Sequence, residues 1–380
     1  MKIVIAPDSF KGSLSAPLLC EAISKGVKNI IPDVEILKVP LADGGEGTME
    51  NLVYSTGGKI IEVNVNNPLM IKVKANYGIL GDGETVVIEM AQASGLPLLT
   101  KEQRNPMKTS SYGTGELIED ALERGYKKFI IGIGGSATND GGAGMLEALG
   151  VKFFDQEGIR LERGGANLSR LAYFEEENMH PKLKEAEFVI ASDVKNPLCG
   201  PDGASTVFGP QKGATSEMVE QLDNALKNYA NIILKQKKMN IMDVPGAGAA
   251  GGMGAALLVF FNGKMKSGID IVLDAVNFKK KLENTDLLIT GEGKLDTQTL
   301  SGKVIAGVCK IANKSNVPVI ALCGGSTLNG GEIKSIGLHA AFSIVKGPCD
   351  LDYAIENTKI LTEEKVEELI KLLKIGIDIS

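Results

Sequence analysis

The chain has 380 residues, 43% of them hydrophobic and 23% charged, with no long polar or low-complexity tract, so it reads as an ordered globular protein of two domains. Its net charge of −6, from 41 basic and 47 acidic residues, comes without a Lys/Arg cluster and argues against nucleic acid as a partner. Five widely spaced cysteines (Cys20, Cys199, Cys309, Cys323 and Cys349) form no C-x-x-C pair and point to buried thiols in a reducing compartment rather than disulfides or a zinc site.

The apolar run at residues 3–6 is too short for a signal-peptide core and reads as a first strand. Residues 246–263 are uncharged but carry six glycines, so no membrane span is expected and the location is read as cytoplasmic. Val- and Ile-rich runs at 2–6, 34–39, 128–133, 187–192, 286–290, 317–323 and 340–345 predict buried parallel strands. Helical patterns alternate with them at 16–27, 114–124, 144–149, 217–234, 303–314 and 362–373. In the last, Val366, Leu369, Ile370 and Leu373 share one face, with Thr362 as the expected N-cap and Gly376 beyond the end. Residues 59–90 differ, predicting three antiparallel strands joined by turns at Asn66-Asn67-Pro68 and Gly81-Asp82-Gly83. The alternation predicts an α/β protein. Two strands near the start and three near the end sum to a five-stranded doubly wound domain from residues 1–60 and 281–380, with a mixed α/β domain inserted at 61–280.

Glycine is in excess, 46 of 380 residues or about 12%, against an average of about 7%. The glycines gather where predicted strands end, where a backbone must turn with positive φ or bring its amides to a ligand. In open parallel sheets that is also where ligands bind. The first strand is followed by Asp8-Ser9-Phe10-Lys11-Gly12-Ser13, the second by Asp43-Gly44-Gly45-Glu46-Gly47-Thr48. Later strands are followed by Gly134-Gly135-Ser136-Ala137-Thr138-Asn139-Asp140-Gly141-Gly142, Asp193-Val194-Lys195-Asn196, Gly291-Glu292-Gly293-Lys294-Leu295-Asp296 and Gly324-Gly325-Ser326-Thr327. Glycine with Ser, Thr and Lys suits a polyphosphate, and carboxylates at the same rim suit Mg²⁺. Together they predict an ATP and Mg²⁺ site.

His180 and His339 lie outside these loops and read as structural, and neither a G-x-S-x-G elbow nor a Walker-type loop occurs. Carboxylate, lysine and oriented amides remain, which is what phosphoryl transfer requires. Two glycine patterns, Gly246-Ala247-Gly248-Ala249-Ala250-Gly251 and Gly132-Ile133-Gly134-Gly135-Ser136-Ala137, keep an NAD-dependent dehydrogenase as an alternative. Against it, the first follows Pro245 rather than a clear strand, and the second runs into Asn139-Asp140-Gly141-Gly142 where a helix should begin. A non-enzymatic sensor of a nucleotide or sugar acid is a further alternative.

Taken in order, these strings resemble the type I glycerate kinases. The resemblance is carried by Asp8-Ser9-Phe10-Lys11-Gly12, Asp43-Gly44-Gly45-Glu46-Gly47-Thr48, residues 132–144, Ser192-Asp193-Val194-Lys195-Asn196-Pro197-Leu198, Gly209-Pro210-Gln211-Lys212-Gly213, and Gly291-Glu292-Gly293 with Asp296-Thr297-Gln298-Thr299. It runs from about residue 3 to residue 358 and implies an ATP-dependent, Mg²⁺-requiring kinase of the small molecule D-glycerate. It also implies a flavodoxin-like domain from the two chain ends and an inserted restriction-endonuclease-like domain, with the site between them. The expected product is 2-phosphoglycerate, with 3-phosphoglycerate as the alternative.

Glycerate presents a carboxylate and two hydroxyls, so its kinase needs a cation or amides for the one and a proton acceptor for the other. On that basis Asp193 is the expected base, and Lys11 the cation at the transferring phosphate or substrate carboxylate. Ser9, Lys195 and Asn196 are candidates for substrate binding. Gly134, Gly135, Ser136, Asn139, Asp140, Glu292 and Gln298 are candidates for the nucleotide and its phosphates. Asp43, Glu46 and Asp296 are candidate Mg²⁺ ligands.

Overall fold

The computed structural model describes residues 1–42, 47–297, 299–301 and 304–379, so the candidates Asp43, Glu46 and Gln298 lie outside the described residues. In chain order the strands are β1 (Lys2–Ile5), β2 (Glu35–Lys38), β3 (Lys59–Asn66), β4 (Lys72–Ile79), β5 (Thr85–Glu89), β6 (Lys128–Gly132), β7 (Lys152–Phe154), β8 (Tyr173–Glu175), β9 (Glu187–Ala191), β10 (Lys264–Lys266), β11 (Leu287–Leu295), β12 (Val319–Ser326) and β13 (Ala340–Ser343). The chain is mixed α/β and divides into two compact units. Unit 1 comprises Met1–Asp43, Tyr54–Thr56 and Ile269–Ser380; unit 2 comprises Gly44–Val53 and Gly57–Gly268.

Unit 1 holds a parallel five-stranded sheet, β13-β12-β11-β1-β2, which counted within the unit is the order 2-1-3-4-5. Its interior strand β1 is buried through Ile3, Val4 and Ile5, which is why it reads as an unbroken apolar run. The helix Ala16–Ile30 packs against the helix Thr358–Ile379, burying Leu19, Ile23 and Val27 with Val366 and Ile370. Gly26 makes that approach possible, because a Cβ there would lie 2.6 Å from the carbonyl oxygen of Glu363.

Three expectations are corrected in unit 1. Thr362 is not an N-cap: the helix begins at Thr358, and the Thr362 hydroxyl donates to the carbonyl of Thr358 at 2.7 Å, a bond made inside a helix. Gly376 accordingly lies within the helix. The strings Gly291-Glu292-Gly293-Lys294-Leu295 and Gly324-Gly325-Ser326 are not loops; they extend β11 and β12, with Glu292 opposite Cys323 and Leu295 opposite Ser326. Gly291 lets the pair close up, since a Cβ there would meet the Leu322 carbonyl oxygen at 2.5 Å. Finally, four cysteines are buried, but Cys349 is exposed.

Unit 2 holds a six-stranded mixed sheet, β10-β9-β6-β5-β4-β3, in which β3, β4 and β5 run antiparallel to their neighbours in turn and β5, β6, β9 and β10 run parallel. The turns between the first three are held by side chains: Asn67 Oδ1 accepts from the amides of Leu69 and Ile71, and Asp82 Oδ1 from those of Glu84 and Thr85. Phe129 of β6 stacks on Phe188 of β9 with ring centroids 4.8 Å apart. Residues 246–263 form a short 3-10 turn, Ala249–Gly252, and the helix Met253–Phe260. Among the described residues no helix is long and apolar enough to cross a membrane.

Candidate active site

In unit 1 the site is built on the carboxyl end of β1. Asp8 is tied to the neighbouring strand by its amide, which donates to the Gly291 carbonyl at 2.8 Å. Its own carboxylate accepts from the Ser9 amide at 2.6 Å and the Ser9 hydroxyl at 3.3 Å. Two backbone bonds between Phe10 and Leu14 then close a tight turn over Lys11-Gly12-Ser13, with Gly12 at φ 78°, and Lys11 is exposed at its tip. Beside this turn lies a cavity of about 390 Å³. Four predicted residues, Ser9, Lys11, Glu292 and Asp296, line it together, and Asp8, which the sequence reading passed over, joins them. Phe10, Ile344, Leu351 and Ile355 supply an apolar side, so the cavity suits a ligand with both an apolar and an anionic or metal-bound part.

Local bonds hold its carboxylates. The Thr299 hydroxyl donates to Glu292 Oε1 and accepts from the Asp296 amide at 3.1 Å, while Lys294 Nζ stands 3.7 Å from Asp296 Oδ2. Among the described residues no three His, Cys, Asp or Glu side chains gather as a metal cluster. Mg²⁺ usually takes one or two carboxylates and completes its shell with water and substrate phosphates, and the oxygen donors on the cavity wall fit that chemistry.

Unit 2 presents a second set of candidates at the carboxyl ends of its parallel strands. After β6, Gly134 and Gly135 are exposed, with Gly135 at φ 71°, and the chain then dives inward through buried Ser136, Thr138, Asn139 and Asp140. Asp140 Oδ2 accepts from the amide and hydroxyl of Ser111, both at 2.8 Å, and from the Gly144 amide at 3.2 Å; Oδ1 accepts from the Gly142 amide at 3.2 Å. Burial pushes this carboxyl up from the usual range, and these donors pull it back. Asn139 donates to Ser205 Oγ at 2.9 Å. These bonds let Asn139 and Asp140 hold the loop in its shape.

The two nucleotide-like glycine patterns are accounted for here. The residues after β6 do not enter a helix until Ala143, so the strand–turn–helix of a dinucleotide fingerprint is not formed. The pattern Gly246–Gly251 packs beneath the loops: a Cβ on Gly251 would lie 2.1 Å from the Thr138 carbonyl oxygen, and one on Gly248 would lie 2.1 Å from that of Pro197. Its glycines serve close backbone contact.

After β9, Asp193 and Lys195 are exposed. The Asn196 amide group donates to the Asp202 carbonyl at 2.8 Å. Besides Asp8, two charged residues were missed by sequence reasoning. Glu89, at the end of β5, is 5% exposed and accepts from the Met49 amide at 2.8 Å and from the amides of Gly47 and Thr48, anchoring the start of the helix Thr48–Thr56. Burial raises its carboxyl above the usual range, opposed by those amides. An acid closing the apolar run Val86-Val87-Ile88 was the signal that could have found it. Lys212 is 1% exposed, with Nζ 2.8 Å from Ser136 Oγ and 2.7 Å from the Thr138 carbonyl oxygen.

Comparison with known proteins places these features in a family. The model of the glycerate kinase family matches residues 3–374. A glycerate kinase of Bacillus subtilis is 47% identical over 376 residues, covering 99% of this chain and 98% of the relative. A glycerate 2-kinase of Escherichia coli is 50% identical over 354 residues, covering 93% of each. The crystal structure of a putative glycerate kinase 2 from Salmonella typhimurium LT2 superposes with a TM-score of 0.91 at 48% identity, covering 100% of this chain and 99% of that one. The chain belongs to the glycerate kinase family and is a kinase enzyme.

Proposed function

We propose that the enzyme transfers the γ-phosphoryl group of ATP to the 2-hydroxyl of D-glycerate, giving 2-phosphoglycerate and ADP, in the cytoplasm. The observation that carries this reading is the convergence of Ser9, Lys11, Glu292 and Asp296 on one cavity in a chain of the glycerate kinase family. The 2-position is supported by the 50% identity to a relative named glycerate 2-kinase.

Phosphoryl transfer asks a protein mainly to position its reactants and neutralise charge. Within unit 1, exposed Lys11 supplies a cation for the transferring phosphoryl group or the substrate carboxylate, and Ser9 donates to substrate oxygen. Within unit 2, the amides of Gly134 and Gly135 with the Ser136 hydroxyl receive phosphate oxygens. Asp193 accepts the proton of the glycerate hydroxyl as its oxygen bonds to phosphorus and the bond to the ADP oxygen breaks, while Lys195 holds the substrate carboxylate. Asp296 is the described residue that would hold Mg²⁺, alongside Asp43 and Glu46; the ion, when bound, neutralises charge on the β- and γ-phosphates. We read unit 1 as a flavodoxin-like domain from its 2-1-3-4-5 parallel order, and unit 2 as an inserted domain of restriction-endonuclease-like shape.

An assay coupled to ADP release tests this. ADP should form with ATP, Mg²⁺ and D-glycerate and fall to background without glycerate, and NAD⁺ in place of ATP should yield no NADH. ADP release independent of glycerate, or NADH formation, would contradict the reading.

A further inference from the structure

Lys212 ends the 3-10 turn Pro210–Lys212 and sends its side chain inward rather than to solvent. A lysine is almost never fully buried, because removing an ammonium from water is strongly unfavourable unless its hydrogen bonds are met. Here they go to two points of one segment, Ser136 Oγ at 2.8 Å and the Thr138 carbonyl at 2.7 Å. Asp140, two residues further on and fully buried, grips the same segment from the other end through Ser111, Gly142 and Gly144. Between these grips, Thr138 Oγ1 and Asn139 Oδ1 are buried without a hydrogen-bond partner among the described residues. Apolar residues in place of buried ions often stabilise a fold. Stability alone therefore does not explain a lysine at this position.

We propose that Lys212 is a positioning residue for the kinase reaction: it fixes residues 134–138 in the shape that presents the Gly134 and Gly135 amides, and sets a buried positive charge beneath them, for an anionic group of the substrate. This rests on the reading of that loop as a phosphate cradle. Burial, which pushes the Lys212 ammonium down to about 7 against the pull of Asp140, leaves a charge that an arriving anion would strengthen.

The test compares Lys212→Met and Lys212→Gln with the wild type in calorimetric titrations of MgATP and, separately, D-glycerate, together with thermal melts and turnover. Lys212→Gln keeps two N–H donors without the charge and reads out the proposal where Lys212→Met fails to fold. Both substitutions should weaken MgATP at least tenfold while D-glycerate affinity stays within twofold, Lys212→Met more than Lys212→Gln. A loss confined to D-glycerate would keep Lys212 as a positioning residue but overturn the phosphate cradle, giving the loop to the substrate carboxylate. A lower melting temperature with both affinities and turnover unchanged would overturn the proposal.

Discussion

Lys11 of unit 1 and Lys212 of unit 2 both lie beside a glycine in a tight turn, yet one stands exposed at a hairpin tip and the other is 1% exposed with its hydrogen bonds given to the protein. The carboxylates divide in a similar way. Asp296 lines an open cavity, whereas Asp140 and Glu89 are buried and accept from backbone amides. Charge left at a loop tip can touch a ligand directly; charge placed under a loop acts through the loop it holds. Substitutions at the tips should therefore reduce turnover with little effect on stability, and substitutions beneath the loops should move stability first.

The largest effect is expected at the exposed Asp193. Asp193→Asn should lower kcat by about 10²–10⁴-fold, the range for removing a general base, with an unchanged thermal melt. Near-normal turnover in a folded variant would remove Asp193 from that role. Lys11→Met comes next, with a loss in kcat of roughly 10²–10³-fold, as for removing one stabilising donor, and a melting temperature close to wild type. A melting shift without a kinetic one would break the contrast between exposed and buried lysines. Asp140→Ala should reverse the pattern, losing about 3 kcal/mol in urea unfolding because the donors of Ser111, Gly142 and Gly144 are left unmet.

A further effect is a pH dependence of stability. Folded Lys212 is held down to about 7, while the unfolded chain's lysine titrates near 10.4, so the unfolded state binds more protons between those values. Stability of the wild type should then rise with pH from about 7 toward 10, and Lys212→Gln should flatten that rise. A slope identical in both would show that Lys212 does not titrate in this window.

Much of the fold was legible because parallel strands write themselves as short Val- and Ile-rich runs, although β2, expected to be buried, has no buried residue. β1, β2, β6 and β9 each end within a residue of expectation. The extension of β11 was not legible, since Gly291-Glu292-Gly293 has the composition of a turn and only the pairing with β12 makes it a strand. Thr362 misled for a related reason: a threonine before an acidic turn suits a helix start, but its hydroxyl bonds backward within the helix instead. Of the candidate site, Ser9, Lys11, Glu292 and Asp296 were legible as lying at one sheet end, and the cavity brings them together, with Glu292 inside β11 rather than after it. Lys212 and Glu89 were not, because sequence shows a charge and not its burial. Lys212 lies in the motif Gly209-Pro210-Gln211-Lys212-Gly213, to which the sequence attaches no role.

The phosphorus spectrum of the product, recorded with proton coupling, tests the central claim most directly. After incubation of the enzyme with ATP, Mg²⁺ and D-glycerate, the account predicts a new phosphate-ester resonance split into a doublet by the single proton on C2. A triplet from two C3 protons would place the phosphate on the 3-hydroxyl, and the absence of any new ester would contradict glycerate as the acceptor.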